Sequence, residues 1–192
     1  GRPVGDVANE WAAQFMDKEK TKQRLLNAVG KIIKSKGFQS LQLTKIATAA
    51  GVDKELVYKY FGTTDKLLNE YLRSKDYWNS INEKDLEINL SDGGKDACKK
   101  VFVNQFDQLY KNKELQKIIL WELSEYKRTL KELAESREEI GEGLFKTVTD
   151  PYFGANKKKY RAVMAVLASS IYYLNIHTDV NGSTFCGLDL KN

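Results

Sequence analysis

Leu43-Thr44-Lys45-Ile46-Ala47-Thr48-Ala49-Ala50-Gly51-Val52-Asp53-Lys54-Glu55-Leu56-Val57-Tyr58-Lys59-Tyr60-Phe61 is the stretch whose reading decides the fold. It reads as two short helices joined at Gly51. Ile46, Ala47 and Ala50 recur at helical spacing and give the first helix one apolar face. Gly51 supplies the backbone freedom for a sharp turn, and Val52 fills the corner. Asp53 is a good N-cap, because its carboxylate can accept a bond from an orphan N–H at the next helix start. The second helix buries Leu56 or Val57 with Tyr60 and Phe61, which turns Lys54, Glu55, Tyr58 and Lys59 outward. A helix–tight turn–helix whose second helix presents basic and hydroxyl groups has the shape that fits a DNA major groove.

Upstream, residues 21–36 form the expected supporting helix, capped by Thr21, with Leu25, Val29, Ile32 and Ile33 on one stripe. Lys22, Arg24, Lys31 and Lys34 lie off it. Gly37 ends the helix, and Phe38 and Leu41 plug a three-helix core. Downstream, Gly62-Thr63-Thr64-Asp65 is a turn with a hydroxyl cap. A helix then carries Leu67, Leu68, Tyr71 and Leu72 to about Tyr77 or Trp78. Residues 1–17 read as a leader or tag-like segment, helical over 7–15 and without assigned function. Gly1-Arg2-Pro3 is uncharacteristic of the rest, and Met16-Asp17-Lys18 looks like a natural start.

The second half predicts further helices over 95–111, 114–124, from 125 as far as 148, and from 156 or 157 to 177, with a polar loop ending at Asp92-Gly93-Gly94. The last helix is apolar on nearly every side, so burial all round is expected. Its small residues Ala162, Ala165, Ala168 and Ser169 permit close helix approach, and a second copy of the chain could supply the burial. Leu188-Asp189-Leu190 looks like the approach to another helix, which places the natural C-terminus beyond Asn192.

Composition narrows the function. The apolar fraction is 42% and only Pro3 and Pro151 break it, which favours an all-α chain with a sizeable core. No run reaches the roughly 18 apolar residues of a membrane span. Cys98 and Cys186 stand far apart, as reduced thiols in a cytoplasmic protein would. Residues 1–75 carry 14 Lys/Arg against 8 Asp/Glu, whereas 76–192 carry 17 against 18. The basic excess thus coincides with the helix–turn–helix pattern, and basic charge beside phosphates releases counterions. No phosphate-binding loop, Gly-x-Ser-x-Gly or Cys/His cluster is present, so the chain is expected not to be an enzyme and to need neither cofactor nor metal. His177, alone of its kind, is a helix C-terminal cation or a hydrogen-bonding pocket residue.

The segments Thr21-Lys22-Gln23-Arg24-Leu25-Leu26-Asn27-Ala28, Lys36-Gly37-Phe38, 43–52, 56–61 and Lys66-Leu67-Leu68, in this order and spacing, resemble the DNA-binding domain of the tetracycline-repressor (TetR) family of bacterial regulators. The resemblance covers about 18–72 and implies three parts: the leader at 1–17, a helix–turn–helix domain at 18–64, and a variable helical ligand-binding and dimerisation domain at 65–192. It implies DNA contacts from Thr44, Lys45, Lys54, Glu55, Tyr58, Lys59, Tyr60 and Thr64. Two positions depart from the family's pattern. Gln42 stands where Thr commonly caps, and Thr64 stands where Lys is common, so that phosphate contact loses its charge.

The same resemblance implies a small-molecule pocket in the second half and dimerisation through the last helices. Aromatics that crowd there, Trp78, Phe102, Phe106, Tyr110, Trp121, Tyr126 and Tyr172, are candidate pocket residues with His177. Ala162, Ala165, Ala168 and Ser169 are candidates for the dimer interface. The resulting expectation is a homodimeric regulator of double-stranded DNA, a repressor of a pseudo-palindromic operator released by a small-molecule effector, with no membrane partner. The competing expectation is a helical protein–protein interaction module, which would bind any duplex weakly at low salt without operator preference.

Overall fold

The computed structural model describes residues 4–75 and 89–191, with side chains from residue 9 onward in the first helix. The elements are α1 (Val4–Lys36), α2 (Leu43–Ala50), α3 (Glu55–Phe61), α4 (Thr64–Lys75), α5 (Lys95–Lys111), α6 (Lys113–Ser124), α7 (Arg128–Leu144), α8 (Asp150–Phe153) and α9 (Lys157–Val180), followed by the short strands β1 (Thr184–Phe185) and β2 (Leu188–Asp189). The fold is all-α, and among the described residues the one sheet is this antiparallel hairpin, which pairs Thr184 with Asp189. No described helix is long and apolar enough to cross a membrane.

The chain packs as two compact units, 1–74 and 75–192. The first unit is built on α1, whose Leu25, Val29 and Ile33 are fully buried with Ile46 of α2 and Val57 of α3. Leu67, Leu68, Tyr71 and Leu72 bury the apolar side of α4, so α4 packs with this unit. The domain change expected at 64/65 and the packing change at 74/75 therefore bracket α4. Lys22 of α1 ties to it through a 3.0 Å ion pair with Glu70 and lies 5.1 Å from the centre of the Phe61 ring.

Thr21 is not a helix cap. It is a buried residue inside α1, which runs unbroken from Val4 through the expected leader to Lys36. No Gly or Pro stands between residues 6 and 29, so nothing interrupts the backbone hydrogen bonds before the core-packed part. Residues 9–20 are exposed, Trp11 and Phe15 included.

In the second unit Leu109 of α5, Ile119 of α6 and Ile171 of α9 form a core cluster, flanked by Phe102, Phe106, Leu115, Tyr172 and Ile176. Asn112 is the pivot between α5 and α6: its side chain accepts the Leu115 N–H at 3.0 Å. Asp179 ties α9 to α6 through Lys113 at 2.8 Å and Lys117 at 3.1 Å. Burial alone would raise its carboxyl pKa, but these two hydrogen bonds outweigh it and hold Asp179 below the ordinary value.

One expectation about the end of the chain is corrected, and another is not met within a single chain. Burial of α9 on nearly every side does not occur within one chain: Met164, Ile171, Asn175 and Thr178 are buried, whereas Val163, Val166, Leu167 and Tyr173 are exposed. The segment 188–190 does not approach a helix. Leu188 pairs back onto Phe185, because Cys186 and Gly187 both take positive φ and reverse the chain there.

Candidate nucleic-acid interface and cavity

The turn between α2 and α3 follows the local chemistry of its residues. Gly51 takes φ 63°, and its N–H and that of Val52 close onto the Ala47 and Thr48 carbonyls. Arg24 of α1 donates from Nη2 to the Gly51 carbonyl at 2.9 Å, adding a cation at the C-terminal end of α2. Gln42 contributes no side-chain cap to α2, as its chemistry implies. Ahead of α3 the Asp53 carboxylate accepts the Glu55 N–H at 2.9 Å, as expected of it, but the helix begins at Glu55 rather than Lys54, and Lys54 takes the N-cap position without a side-chain cap bond.

α3 divides by face. Val57 and Phe61, four residues apart, are buried, and Leu56 and Tyr60 are half-buried. Lys54, Glu55, Tyr58 and Lys59 are exposed, with Tyr58 at 53%. Glu55, Tyr58 and Lys59 stand at i, i+3 and i+4, which places them side by side on one helical surface. Thr44 and Lys45 are exposed in the first turn of α2. Tyr60 lies under the Lys59 ammonium, 5.7 Å from its ring centre. Thr64 is half-buried at the first position of α4, and the cap there is Thr63, whose Oγ1 accepts the Lys66 N–H at 3.1 Å. Thr64 and Tyr60 are thus the less available of the expected contacts.

The second unit holds a cavity of about 350 Å³, at the lower end of the range for small-molecule sites. Its origin is small side chains on facing helices. Ala97 of α5, Ala134 and Gly141 of α7, and Ala165 and Ala168 of α9 line it and leave the space that larger residues would fill. Phe102, Phe145, Met164 and Tyr172 supply most of the remaining apolar wall.

Of the aromatic candidates, Phe102 and Tyr172 line the cavity. The Tyr172 hydroxyl accepts from Gln105 Nε2 at 2.9 Å. Phe106, Tyr110, Trp121, Tyr126 and His177 do not line it. Phe106 and Tyr110 stack on each other at 6.3 Å, and Trp121 is core, its indole N–H donating to Glu125. Tyr126 is 78% exposed, beyond the end of α6. His177 sits in the last turn of α9 against Tyr173 and Phe185, with Nε2 3.3 Å from the Thr184 carbonyl. Trp78 lies outside the described residues. Ala165 and Ala168, expected at a dimer interface, face the cavity, while Ala162 and Ser169 are exposed away from it.

The cavity also has charged walls that aromatic content does not reveal. Arg137 of α7 pairs with Glu122 of α6, and Glu138 stands beside them. The guanidinium of Arg161 bridges two carboxylates, Glu142 at 2.6 Å and Asp150 at 2.7 Å, and lies 4.7 Å from the Phe145 ring centre. Hydrogen bonding to Arg161 holds both carboxyls below their ordinary pKa values, and Arg161 itself is raised in return. Cys98 also lines the cavity, 3.5 Å from the Tyr160 hydroxyl, whose pKa burial pushes up. The signal for Arg137 was present in the sequence: it falls at i+7 from Leu130 and i+4 from Leu133, both buried, so it rides the apolar stripe of α7. Among the described residues no group of His, Cys, Asp and Glu is arranged to hold a metal.

Residues 22–71 match the family described as bacterial regulatory proteins, tetR family. No curated protein matches the chain in sequence. Solved structures share the fold. NalD, the secondary repressor of the MexAB-OprM multidrug efflux pump in Pseudomonas aeruginosa, aligns over 91% of this chain and 92% of its own, with TM-score 0.56 and 21% identity. HlyIIR, a hemolysin II transcriptional regulator, aligns over 85% of this chain and 93% of its own, with TM-score 0.58 and 16% identity.

Proposed function

We propose, for a chain that belongs through residues 22–71 to the tetR family of bacterial regulatory proteins, a sequence-specific transcriptional repressor that binds a pseudo-palindromic operator as a dimer and is released by a small molecule. It acts in the cytoplasm, where its duplex target lies. The observation that carries this reading is the exposed group of Lys54, just before α3, and Glu55, Tyr58 and Lys59 on it, which follow the Gly51 turn and the Asp53–Glu55 bond. The basic excess of residues 1–75 surrounds it. Thr44, Lys45 and the Tyr hydroxyls set position on phosphates, while Lys54 and Lys59 reach guanine acceptors in the major groove. Thr64 contributes at most a neutral phosphate contact.

In this reading residues 65–192 bind the effector and hold the dimer. The fold shared with one repressor and one transcriptional regulator supports that assignment, and the cavity offers a place for the ligand. Two recognition helices about 34–36 Å apart read successive major grooves. A ligand that favours a dimer with another spacing weakens DNA binding, with a coupling of about 1–3 kcal/mol.

Selection of duplexes from a random pool tests the proposal. A single inverted-repeat consensus is expected. Lys54→Ala should relax preference at one or two positions of each half-site, at about 1–3 kcal/mol per lost contact. Selection that returns no consensus, or Lys54→Ala binding with unchanged affinity and preference, would sink the assignment.

A further inference from the structure

We infer, resting on the DNA-binding reading above, that Arg24 of α1 is a positioning residue for recognition. It grips the peptide at which the chain turns from α2 into α3, and so fixes how Lys54 and Glu55 are presented to the bases.

The backbone of the turn creates the contact. The Gly51 N–H bonds the Thr48 carbonyl and the Val52 N–H bonds the Ala47 carbonyl, each at 3.1 Å. Both donors are closed back onto α2, which leaves the Gly51 carbonyl to find its donor elsewhere. Arg24 supplies it from Nη2 at 2.9 Å, across 27 positions of sequence. The approach is close: a Cβ at residue 51 would stand 3.0 Å from that same nitrogen. Gly51 thus serves the tether as well as its own φ of 63°. On α1, Arg24 stands one turn before the buried Ala28, at the margin of the face that packs on α2. Ala28, Ala47 and Ala50 are small and buried, so the two helices come near enough for a side chain at that margin to reach the turn.

The tether acts at the end of α3 with the least else to hold it. Val57 and Phe61 are buried, whereas Lys54 and Glu55 are exposed and Leu56 is half-buried. The Asp53–Glu55 bond is local, so it shapes this end without attaching it to the rest of the unit. Only residues 51–54 join α2 to α3. A pivot at Gly51 would carry Lys54 and Glu55 with it. Hydrogen bonds to base edges weaken steeply with misalignment, whereas attraction to phosphates does not. Arg24 therefore acts on the sequence-specific part of binding, through the Gly51 carbonyl.

Two variants of the intact chain test this. Arg24→Met keeps the stem and removes donor and charge; Arg24→Lys keeps both. Each is titrated against the selected operator and against a random-sequence duplex over a range of salt. In Arg24→Met, operator affinity should fall about 10-fold and random-duplex affinity by less than about 3-fold. The slope of log affinity against log salt should stay unchanged, because no phosphate contact is lost. Arg24→Lys should return operator affinity to within about 3-fold of wild type, although its ammonium lacks the guanidinium fork. Without DNA, amide hydrogen exchange in Arg24→Met should be faster over 51–56 and unchanged over 64–75. Equal loss on both duplexes, with a salt slope smaller by about one, would make Arg24 a phosphate contact and overturn the inference. So would wild-type operator affinity in Arg24→Met, no recovery in Arg24→Lys, or unaltered exchange over 51–56. A wild-type chain that selects no operator defeats the DNA-binding reading instead, and the exchange measurement still decides whether Arg24 holds the turn.

Discussion

At the residue scale, Arg161 joins two carboxylates and an aromatic ring. Its fork holds Asp150 through Nε at 3.0 Å and Nη2 at 2.7 Å, and Glu142 through Nη1 at 2.6 Å, while its face covers Phe145. Both carboxyls have folded pKa values below their ordinary 4.5 and 3.8, chiefly through the hydrogen bonds from Arg161. A depressed carboxyl stabilises the folded state above its unfolded pKa and loses that contribution as pH falls through the folded value. Arg161→Leu should therefore melt below the wild type at neutral pH. The gap should narrow below about pH 4, as the carboxyls protonate in both proteins. Thermal melts from pH 7 to pH 2 check this, and a gap that stays constant would assign the effect of Arg161 to packing on Phe145 instead. None of this could be read from the sequence, because Glu142, Asp150 and Arg161 are brought together by the π-helical turn Phe145–Thr149 and by α8, whose geometry has no local signature.

At the scale of elements, sequence reading succeeded where punctuation was strong. The bounds of α5 match the expected 95–111 because Gly94 and Asn112 bracket the apolar stripe. The α2–α3 turn matches because Gly51 and Asp53 each act locally. Reading failed where an element depended on neighbours or on the absence of a stop. Thr21 has the chemistry of a cap, yet an unbroken helix before it and burial against the core leave its hydroxyl no such role. The aromatic candidates divide for a related reason: Phe102 and Tyr172 line the cavity, whereas Trp121 and Phe106 do not. Trp121 and Phe106 share the composition of a pocket wall, but which helical face meets an empty space depends on the small residues opposite. The strong local signal at α3 also gives a prediction. Asp53→Ala removes the acceptor of the Glu55 N–H and should cost about 1 kcal/mol. The loss should appear as a lower denaturation midpoint of the intact chain with unchanged slope. DNA affinity should fall further than stability alone dictates, because α3 frays at the end that carries Lys54.

At the scale of the molecule, α9 has two distinct apolar sides. Met164, Ala165, Ala168 and Tyr172 face the cavity, while Val163, Val166 and Tyr173 form an exposed apolar row with Ala162 and Ser169 between them. The all-round apolar texture of the sequence thus encodes an inner wall and an outer face, and only the first is satisfied by one chain. The proposed dimer gives the second a partner, and through a two-fold axis each outer residue contacts the interface twice. Val166, 66% exposed in the single chain, is the sharpest probe of that assignment. Burying a valine side chain is worth roughly 1.5–3 kcal/mol, so losing two should cost about 3 kcal/mol or more. Val166→Asp adds the desolvation of two carboxylates to that loss. Its dimer dissociation constant should rise by about 100-fold or more, while the chain keeps its helical content because the position is solvated in the protomer. Sedimentation equilibrium of wild type and variant across micromolar concentrations measures the shift directly. Operator binding should then fall steeply with dilution in the variant, since a single half-site offers only half of the phosphate and base contacts. A wild-type chain that sediments as a monomer, yet binds the selected inverted repeat, would show that pairing is driven by DNA and that the row on α9 serves another partner.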